Sequence, residues 1–324
     1  MRRSLRDLGL DAVPFRHPLE YPGRPAPEPC LLLEAELLPL RAVPGRPLGA
    51  WPVVGGEGTW PVVGAEGTHT DGGAEGTHTD GGTEGTHTDG GGGPSSDGPG
   101  GPELDALLTA LGRLVTGHRH PVLAVGSNAS PAQMGHKLAA HGLPAAVPMV
   151  PVTVRGIGVG CSAHIGRAGY VAAAPYADPA AERRLVVSWL DPAQLAAVDA
   201  SELHYRRVLL PATAFPMTLP SGDRLGGAYL YVSRHGVLLD PATGRPHPGA
   251  EDQGALLAAL LRSSKRLRNL LGPDPRAWTE RARAEEAVRL EGARIFGEEG
   301  WIRPEGELPS SAGPPDLRHA DLMP

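Results

Sequence analysis

The feature that most limits how this 324-residue chain can fold is a glycine-rich repeat of nine residues, which begins at Trp51. Residues 49–101 hold 19 of the 45 glycines, and each full unit carries Glu-Gly-Thr. Such a polar segment cannot bury enough apolar surface to offset the entropy lost on ordering. We therefore expect a disordered linker expanded by tandem duplication. The alternative is a weak metal-binding tract formed by His69, His78 and His87.

The remaining residues suffice for one substantial core, and their composition excludes several classes of protein. The net charge of −6 argues against a nucleic-acid-binding protein. The two cysteines, Cys30 and Cys161, are too few for a disulfide framework or a metal-ligand cluster. No apolar run resembles a signal peptide or is long enough to span a membrane. We expect a cytoplasmic protein with neither membrane nor nucleic acid as a partner; its oligomeric state is not predicted.

The composition divides the chain into four parts. Residues 1–48 are too few to fold alone, and we expect them to pack on the main domain, with partial disorder as the alternative. Residues 49–101 form the predicted linker, residues 102–304 the main domain, and residues 305–324 a flexible tail rich in Pro, Gly and Ser. In the first part, two apolar runs predict short strands: Cys30-Leu-Leu-Leu and Leu37-Leu38-Pro-Leu40.

Apolar periodicity in the main domain predicts six or seven strands with few helices between them. The strand segments are 121–125, 150–159, 170–173, 185–189, 205–210, 213–219 and 228–232. Helices are predicted from 104, from 131, from 192, over 256–271 and over 276–296. This pattern favours the α+β class. We expect a small mixed β-sheet or β-barrel with flanking helices and further helices at the C-terminus.

The first candidate site is the loop Gly126-Ser127-Asn128, between a predicted strand and a predicted helix. Ser130 is an N-cap signal, because a proline follows it and Gln133 stands at the third helical position. Backbone N–H groups at such a helix start favour an anion, such as a carboxylate or a phosphate. An ordinary strand–turn–helix connection is the alternative.

The second candidate is Asp199-Ala-Ser-Glu202, which follows another capped helix. The C-terminal end of a helix is negative, and burial disfavours an ionised carboxylate. Both effects would make Glu202 a better general base near neutral pH. The alternative is that Asp199 and Glu202 are solvated charges at a helix end.

Together these features resemble the gamma-glutamylcyclotransferase family. In that family a strand ends in Tyr-Gly-Ser-Asn, and a Trp-Gly-type strand, a short helix, Leu-Asp-x-x-Glu-Gly and a Tyr follow later in the chain. Here Gly126-Ser-Asn, Trp189, Val198-Asp-Ala-Ser-Glu202 and Tyr205 occur in the same order. The segments 155–158 and 168–175 also resemble the middle strands of the family, so the resemblance covers about residues 121–232.

The resemblance implies a compact barrel and an intramolecular acyl transfer that needs no metal or cofactor. The α-amine of a γ-glutamyl group would attack its own γ-carbonyl, releasing 5-oxoproline and an amine or amino acid. The catalytic glutamate of the family matches Glu202. The substrate-binding positions match Gly126, Ser127, Asn128 and Tyr205, of which the first three would hold the α-carboxylate and the polarised carbonyl oxygen.

The chain departs from the family pattern at Val125, where the family has Tyr, and at Leu203, where it has Gly. Two alternatives therefore stay open: a non-catalytic small-molecule-binding protein of the same fold, and an interaction protein tethered by the repeat.

Two lesser candidates come from the residues alone. Cys161 could pair with His164 or His204 as a nucleophile, but a buried inert thiol is the better explanation of a cysteine at a predicted strand end. A basic run could bind phosphate, although cations are common near the C-terminus of a helix; it consists of Arg262, Lys265, Arg266 and Arg268.

Overall fold

The computed structural model describes residues 3–55, 101–248, 252–304, 306, 308–310 and 317–322. Its strands are β1 (Arg3–Ser4), β2 (Cys30–Leu33), β3 (Glu36–Pro39), β4 (His120–Ala124), β5 (Ala146–Ile165), β6 (Val171–Leu190), β7 (Tyr205–Pro211), β8 (Met217–Thr218), β9 (Arg224–Leu225), β10 (Gly227–Ser233), β11 (Val237–Leu238) and β12 (Ile302–Arg303). Its helices are α1 (Leu104–Ala110), α2 (Pro131–Ala139), α3 (Pro192–Ser201), α4 (Gln253–Ser263), α5 (Lys265–Leu271), α6 (Pro275–Ala284) and α7 (Glu286–Glu298).

The strands form one mixed sheet, in the order β1-β3-β2-β5-β6-β4-β10-β7. The pair β10–β4 is parallel and the other pairs along this order are antiparallel. A closed barrel requires the end strands to pair, but among the described residues β1 and β7 do not. The predicted α+β class and mixed sheet are confirmed, and the predicted barrel is wrong. Other segments cover both faces of the central strands, so the sheet buries its apolar side chains without closing.

The sheet is built around β5 and β6, which are 20 residues long each. The sequence predicted two separate strands at 170–173 and 185–189, but both belong to the continuous strand β6. The polar residues between them stay extended because they pair with β5, for example Glu182 with Arg155. A register shift between Arg155 and Ile157 bends the pair. Tertiary pairing therefore overrides the weak local strand signal of this stretch.

Both faces of the central sheet are buried. One face packs against α1 and the segment before it, where Trp51 and Val53 are fully buried. The other face packs against α2 and α3 through side chains such as Leu138 and Leu195. Residues 51–53 thus belong to the core, although the sequence predicted them to be part of the linker. The rest of the repeat, from residue 56 to residue 100, lies outside the described residues.

The N-terminal residues take part in the same sheet. The two predicted short strands are β2 and β3, which pair as an antiparallel hairpin, and β2 pairs with β5 from Cys30 opposite Met149 to Leu33 opposite Ala146. Glu34 lies in the turn with a φ of 54°. At the other end of the chain, the described tail residues 317–322 also pack on the fold, where His319 is buried. This part of the tail differs from the flexible segment that the sequence predicts.

The C-terminal helices form a layer of their own. The sequence predicted two long helices, but the first breaks at Ser264 and the second at Glu285. Ser264 ends α4 and caps α5, since its Oγ accepts the N–H of Leu267 at 3.2 Å. Trp278 and Phe296 are fully buried in this layer. In the described part of the chain, no helix is both long and apolar enough to cross a membrane.

Candidate active site

The loop that follows β4 lies tightly against the N-terminal segment. A Cβ added to Gly126 would lie 2.5 Å from the Tyr21 hydroxyl oxygen and 3.1 Å from Ala173 Cβ. Only glycine therefore allows this close approach. Ser127–Ala129 form a 3-10 turn, and the Ser130 Oγ then accepts the Gln133 N–H at the start of α2. The predicted strand, turn and N-cap are confirmed.

Two backbone N–H groups of this loop are available to a ligand. The Ala129 N–H donates to the Gly126 carbonyl, and the Ser130 N–H donates to the Ser127 carbonyl. The N–H groups of Ser127 and Asn128 donate to no protein atom in the described chain. Adjacent free N–H groups of this kind suit a carboxylate or a developing oxyanion.

Glu202 is the residue at which α3 ends, and its carboxylate reaches this loop. Its Oε1 accepts a hydrogen bond from Asn128 Nδ2 at 3.0 Å and one from Lys137 Nζ at 2.6 Å. Lys137 Nζ also donates to Asn128 Oδ1 at 2.7 Å. The side chains of Glu202 and Lys137 are only 14% and 12% exposed. The three residues form a closed network in which the ammonium group compensates the carboxylate charge.

The sequence analysis missed Lys137, although a signal for it exists. Lys137 lies seven residues after the N-cap Ser130, which is two turns of a helix. It therefore shares the face on which α2 begins, and helical side chains lean towards the N-terminus. A long cationic side chain at that position reaches the loop before the helix.

Tyr205, a predicted substrate-binding residue, lines the cavity and is also part of its supporting wall. Its hydroxyl donates to the Ala173 carbonyl at 2.9 Å, while the Ala173 N–H donates to the Tyr21 hydroxyl at 2.7 Å. Tyr21 stacks on Tyr170 with ring centroids 4.2 Å apart. Burial raises the pKa of Tyr205 well above its ordinary value, so its hydroxyl remains a donor. The sequence analysis missed Tyr21, which carries no motif and lies far away in the chain.

These residues surround a cavity of about 860 Å³. All five residues of the predicted site line it: Gly126, Ser127, Asn128, Glu202 and Tyr205. The volume is within the range of small-molecule sites, and one end of the cavity carries a carboxylate, an ammonium group and free N–H donors. Such an arrangement can orient a polar substrate and accept a proton from it.

Three histidines line another part of the cavity. The ring of His164 lies 4.5 Å from that of His204 and 4.7 Å from that of His235, measured between centroids. Burial and the two neighbouring rings lower the pKa of His164 well below its ordinary value. The Nδ1 of His164 lies 2.6 Å from Ser162 Oγ. The three imidazoles therefore form a neutral, polar wall near pH 7.

The structure does not support Cys161 as a nucleophile. Its Sγ contacts the Pro248 carbonyl oxygen at 3.5 Å, and no hydrogen bond joins it to a histidine among the described residues. Burial raises the pKa of the thiol to about 12, so it stays protonated and unreactive. His164 bonds to Ser162 instead.

Asp199 has different hydrogen-bond partners from Glu202, although they lie only three residues apart and both line a smaller neighbouring pocket. Its Oδ1 accepts hydrogen bonds from Arg207 Nε at 3.0 Å and from the Tyr231 hydroxyl at 2.7 Å. The two members of the predicted acidic pair thus bind different cations: Asp199 binds Arg207, and Glu202 binds Lys137. Asp199 does not line the 860 Å³ cavity, which makes it a matched control for Glu202.

Two further site classes from the sequence can be compared with the structure. Among the described residues, no group of three or more His, Cys, Asp or Glu side chains has a geometry that could hold a metal ion. The repeat histidines His69, His78 and His87, considered as an alternative metal-binding tract, lie outside these residues. In the basic run, Arg266 pairs with Glu298 at 2.5 Å and Arg268 donates to carbonyls of α4. These contacts join helices within the C-terminal layer.

No protein-family model matches the sequence, and no curated protein matches it. Solved structures resemble parts of it. A protein of Arabidopsis thaliana solved in solution is 17% identical, with 35% of this chain and 61% of that chain covered and a TM-score of 0.27. A gamma-glutamyl cyclotransferase is 10% identical, with 60% and 93% covered and a TM-score of 0.30.

A yeast gamma-glutamyl cyclotransferase described as specific to glutathione is 13% identical, with 51% of this chain and 98% of that chain covered and a TM-score of 0.26. This chain spans less than two thirds of the Arabidopsis protein. At these TM-scores the likeness is limited to part of the fold and identifies no function for this chain.

Proposed function

We propose that this protein is a cyclotransferase that releases 5-oxoproline from a γ-glutamyl amine or amide by intramolecular attack. One observation carries the proposal: the Glu202 carboxylate, held by Lys137 and Asn128, meets the free N–H groups of the loop 126–128 in one cavity. A single carboxylate beside an anion-binding loop is the set of groups that this reaction requires. The ordered motifs of the sequence agree with it.

The loop would act on the two oxygen-bearing groups of the substrate. The free N–H groups of Ser127 and Asn128 can hold the α-carboxylate or the oxygen of the γ-carbonyl, where negative charge develops. The Ser127 hydroxyl can add a further donor. Holding the γ-glutamyl group folded in this way brings its amine within reach of its own carbonyl carbon. This proximity supplies much of the rate acceleration for closure of the five-membered ring.

Glu202 would carry the proton. The substrate amine forms a bond to the γ-carbonyl carbon and gives a proton to the carboxylate, producing a tetrahedral oxyanion. The oxyanion collapses, the bond from this carbon to the leaving nitrogen breaks, and Glu202 returns the proton to that nitrogen. Both hydrogen bonds within the described chain use Oε1, so Oε2 is available as the acceptor. Lys137 and Asn128 fix the orientation of the carboxylate.

A second function rests on the departures from the family pattern. Leu203, which stands where the family has glycine, is 78% exposed at the mouth of the cavity. Val125 lines the cavity where the family has tyrosine. A protein that kept the loop and lost the chemistry would bind γ-glutamyl compounds without converting them.

The test is turnover by the Glu202→Gln variant, which keeps the shape of the side chain but cannot accept the proton. We expect 5-oxoproline formation from a panel of γ-glutamyl compounds, followed by mass spectrometry, to fall by about 10²-fold or more. Substrate affinity should change little, because the loop binds the carboxylate independently.

Asp199→Asn is the control, because it removes a carboxylate of the same region that lies outside the cavity. Its turnover should stay near that of the wild-type protein. Equal losses in the two variants would contradict Glu202 as the base. Binding of the panel without any 5-oxoproline from the wild-type protein would favour the binding function.

A further inference from the structure

One wall of the cavity, formed by the β5–β6 turn, α6 and α7, carries cations that the proposed chemistry does not use. Arg167, at the turn between β5 and β6, Arg283, near the end of α6, and Arg289, on α7, all line it. The carboxylate of Glu286 also lines this wall, so the three arginines leave an excess of positive charge. This excess stands out in a chain whose net charge is −6.

The guanidinium groups of Arg283 and Arg289 are held in place but are not neutralised. Arg283 Nη1 donates to the Arg16 carbonyl at 3.2 Å, and Arg289 Nη1 donates to the Ala282 carbonyl at 2.7 Å. In the described part of the chain, neither forms an ion pair with a carboxylate. A guanidinium has five N–H donors, so most donors of both groups stay open to a ligand.

The Arg289 guanidinium reaches the end of α6, the helix that carries Arg283. The Ala282 carbonyl that holds Arg289 belongs to the residue directly before Arg283. The positive charge of Arg289 also reaches His204, whose pKa is lowered first by burial and then by this charge. Arg289 therefore lies near His204, and both arginines line the same cavity as the three histidines and Glu202. Arg283 is exposed, whereas Arg289 is half-buried.

Apolar side chains accompany these cations at the mouth. Leu290, next to Arg289 on α7, is 63% exposed, and Leu203, next to Glu202, is 78% exposed. Both line the same cavity. A small ligand that reaches from the loop to this wall would meet a carboxylate-binding group and an apolar surface together.

We propose that Arg283 and Arg289 form a second anion subsite, which selects a leaving group that carries a carboxylate and an apolar side chain over an uncharged amine. This inference rests on the proposed cyclotransferase function, because the group it recognises is the part of the substrate that is expelled. The loop 126–128 would bind one end of the substrate and the arginines the other. Planar guanidinium groups suit a carboxylate at this position.

The experiment compares two substrates that differ only in that carboxylate: γ-glutamyl-leucine and γ-glutamyl-3-methylbutylamine. For the wild-type protein we expect kcat/KM to be about tenfold higher for γ-glutamyl-leucine. The difference should lie mainly in KM, because one charge-assisted hydrogen bond to the substrate strengthens binding by about this factor. In Arg289→Ala and Arg283→Ala this advantage should shrink to about twofold or less. Arg276→Ala, an exposed arginine of α6 outside the cavity, should keep it.

A companion measurement separates failure of the subsite from failure of the reaction. Glutaryl-leucine and glutaryl-3-methylbutylamide lack the amine and cannot cyclise, so calorimetry reports their binding alone. Preference for glutaryl-leucine that is lost in Arg289→Ala supports the subsite even if no γ-glutamyl compound is converted. Equal affinity for the two probes, no binding of either, or an Arg289→Ala variant that slows both substrates equally would overturn it.

Discussion

The helices α2 and α3 begin with the same signal but use it differently. Each starts with a capping residue followed by Pro-Ala-Gln, from Ser130 in α2 and from Asp191 in α3. In α3 the capping box, in which the side chains of the cap and of the third helical residue each bind the backbone N–H of the other, is complete, since Gln194 Oε1 accepts the Asp191 N–H at 3.1 Å. In α2 the corresponding oxygen of Gln133 accepts the N–H of Phe15, from the N-terminal segment, at 3.2 Å.

The difference shows how one local motif serves two purposes. The start of α3 is locked to the core, because Gln194 also accepts from the buried Arg119 and donates to the Pro144 carbonyl. The start of α2 leaves its glutamine to hold another segment. Both helices deliver a site residue from their far ends: Lys137 from α2 and Glu202 from α3. The site is thus the meeting point of one rigidly fixed helix and one helix that depends on the N-terminal segment.

The largest effect is expected from removing the contribution of α2 to the site. Lys137→Met keeps much of the length of the side chain but leaves Glu202 without its ammonium partner. A misplaced base costs about 10²-fold in turnover, which steady-state assays of 5-oxoproline would detect. The pH profile of kcat should also move, which a purely structural role for Lys137 would not cause.

Lys265→Met is the matched control, since Lys265 is an exposed lysine on α5. It should leave turnover unchanged. Full activity in Lys137→Met would show that the two helices contribute independently to the site.

The next effect concerns the starts of the two helices and is one of stability. Gln194→Ala removes three hydrogen bonds and leaves the buried Arg119 guanidinium with one acceptor fewer. We expect the free energy of unfolding to fall by about 2–4 kcal/mol, the cost of leaving buried polar groups unsatisfied. Gln133→Ala loses one bond to a backbone N–H and should cost about 1 kcal/mol. Urea denaturation measures the free energy of unfolding of both variants. Equal losses would show that the starts of α2 and α3 do not differ in how firmly they are held.

The smallest effect is a response to acid on the α3 side. The backbone N–H of His319 donates to the Arg119 carbonyl, and the Arg119 side chain donates to Gln194. Burial lowers the pKa of His319 from 6.5 to about 4. The unfolded chain takes up this proton near pH 6.5 and the folded chain does not. His319 therefore does not lower the free energy of unfolding above pH 6.5. Below pH 6.5 it lowers this free energy by about 1.4 kcal/mol per pH unit as the pH drops towards 4.

His319→Phe should reduce the loss of stability between pH 7 and pH 5 by about 2 kcal/mol, measured by denaturant titration at both values. His136→Phe, on α2, is the comparison, because burial also lowers the pKa of His136 but that side chain is only partly buried. A larger change in His136→Phe than in His319→Phe would show that the acid sensitivity lies on the α2 side and not on the α3 side.

Local signals were predicted well because they depend on neighbours in the sequence. The caps of Ser130 and Asp191 and the short strands β2 and β3 follow from a few residues each. Features that join distant segments were not predicted. The continuity of β6 depends on its pairing with β5, and Tyr21 contacts Gly126 only in the folded chain. The motif therefore marks where the site lies, whereas its wall comes from tertiary packing.

The pairing of β2 with β5 has a consequence for any shortened version of the protein. Residues 146–149 of β5 are buried, and β2 covers their backbone hydrogen-bonding groups. Without the N-terminal hairpin, this stretch would become an apolar edge strand with unpaired N–H and C=O groups, which invites association between copies. The N-terminal segment therefore prevents aggregation by covering this edge. A truncated protein that begins at the main domain should be recovered as insoluble material.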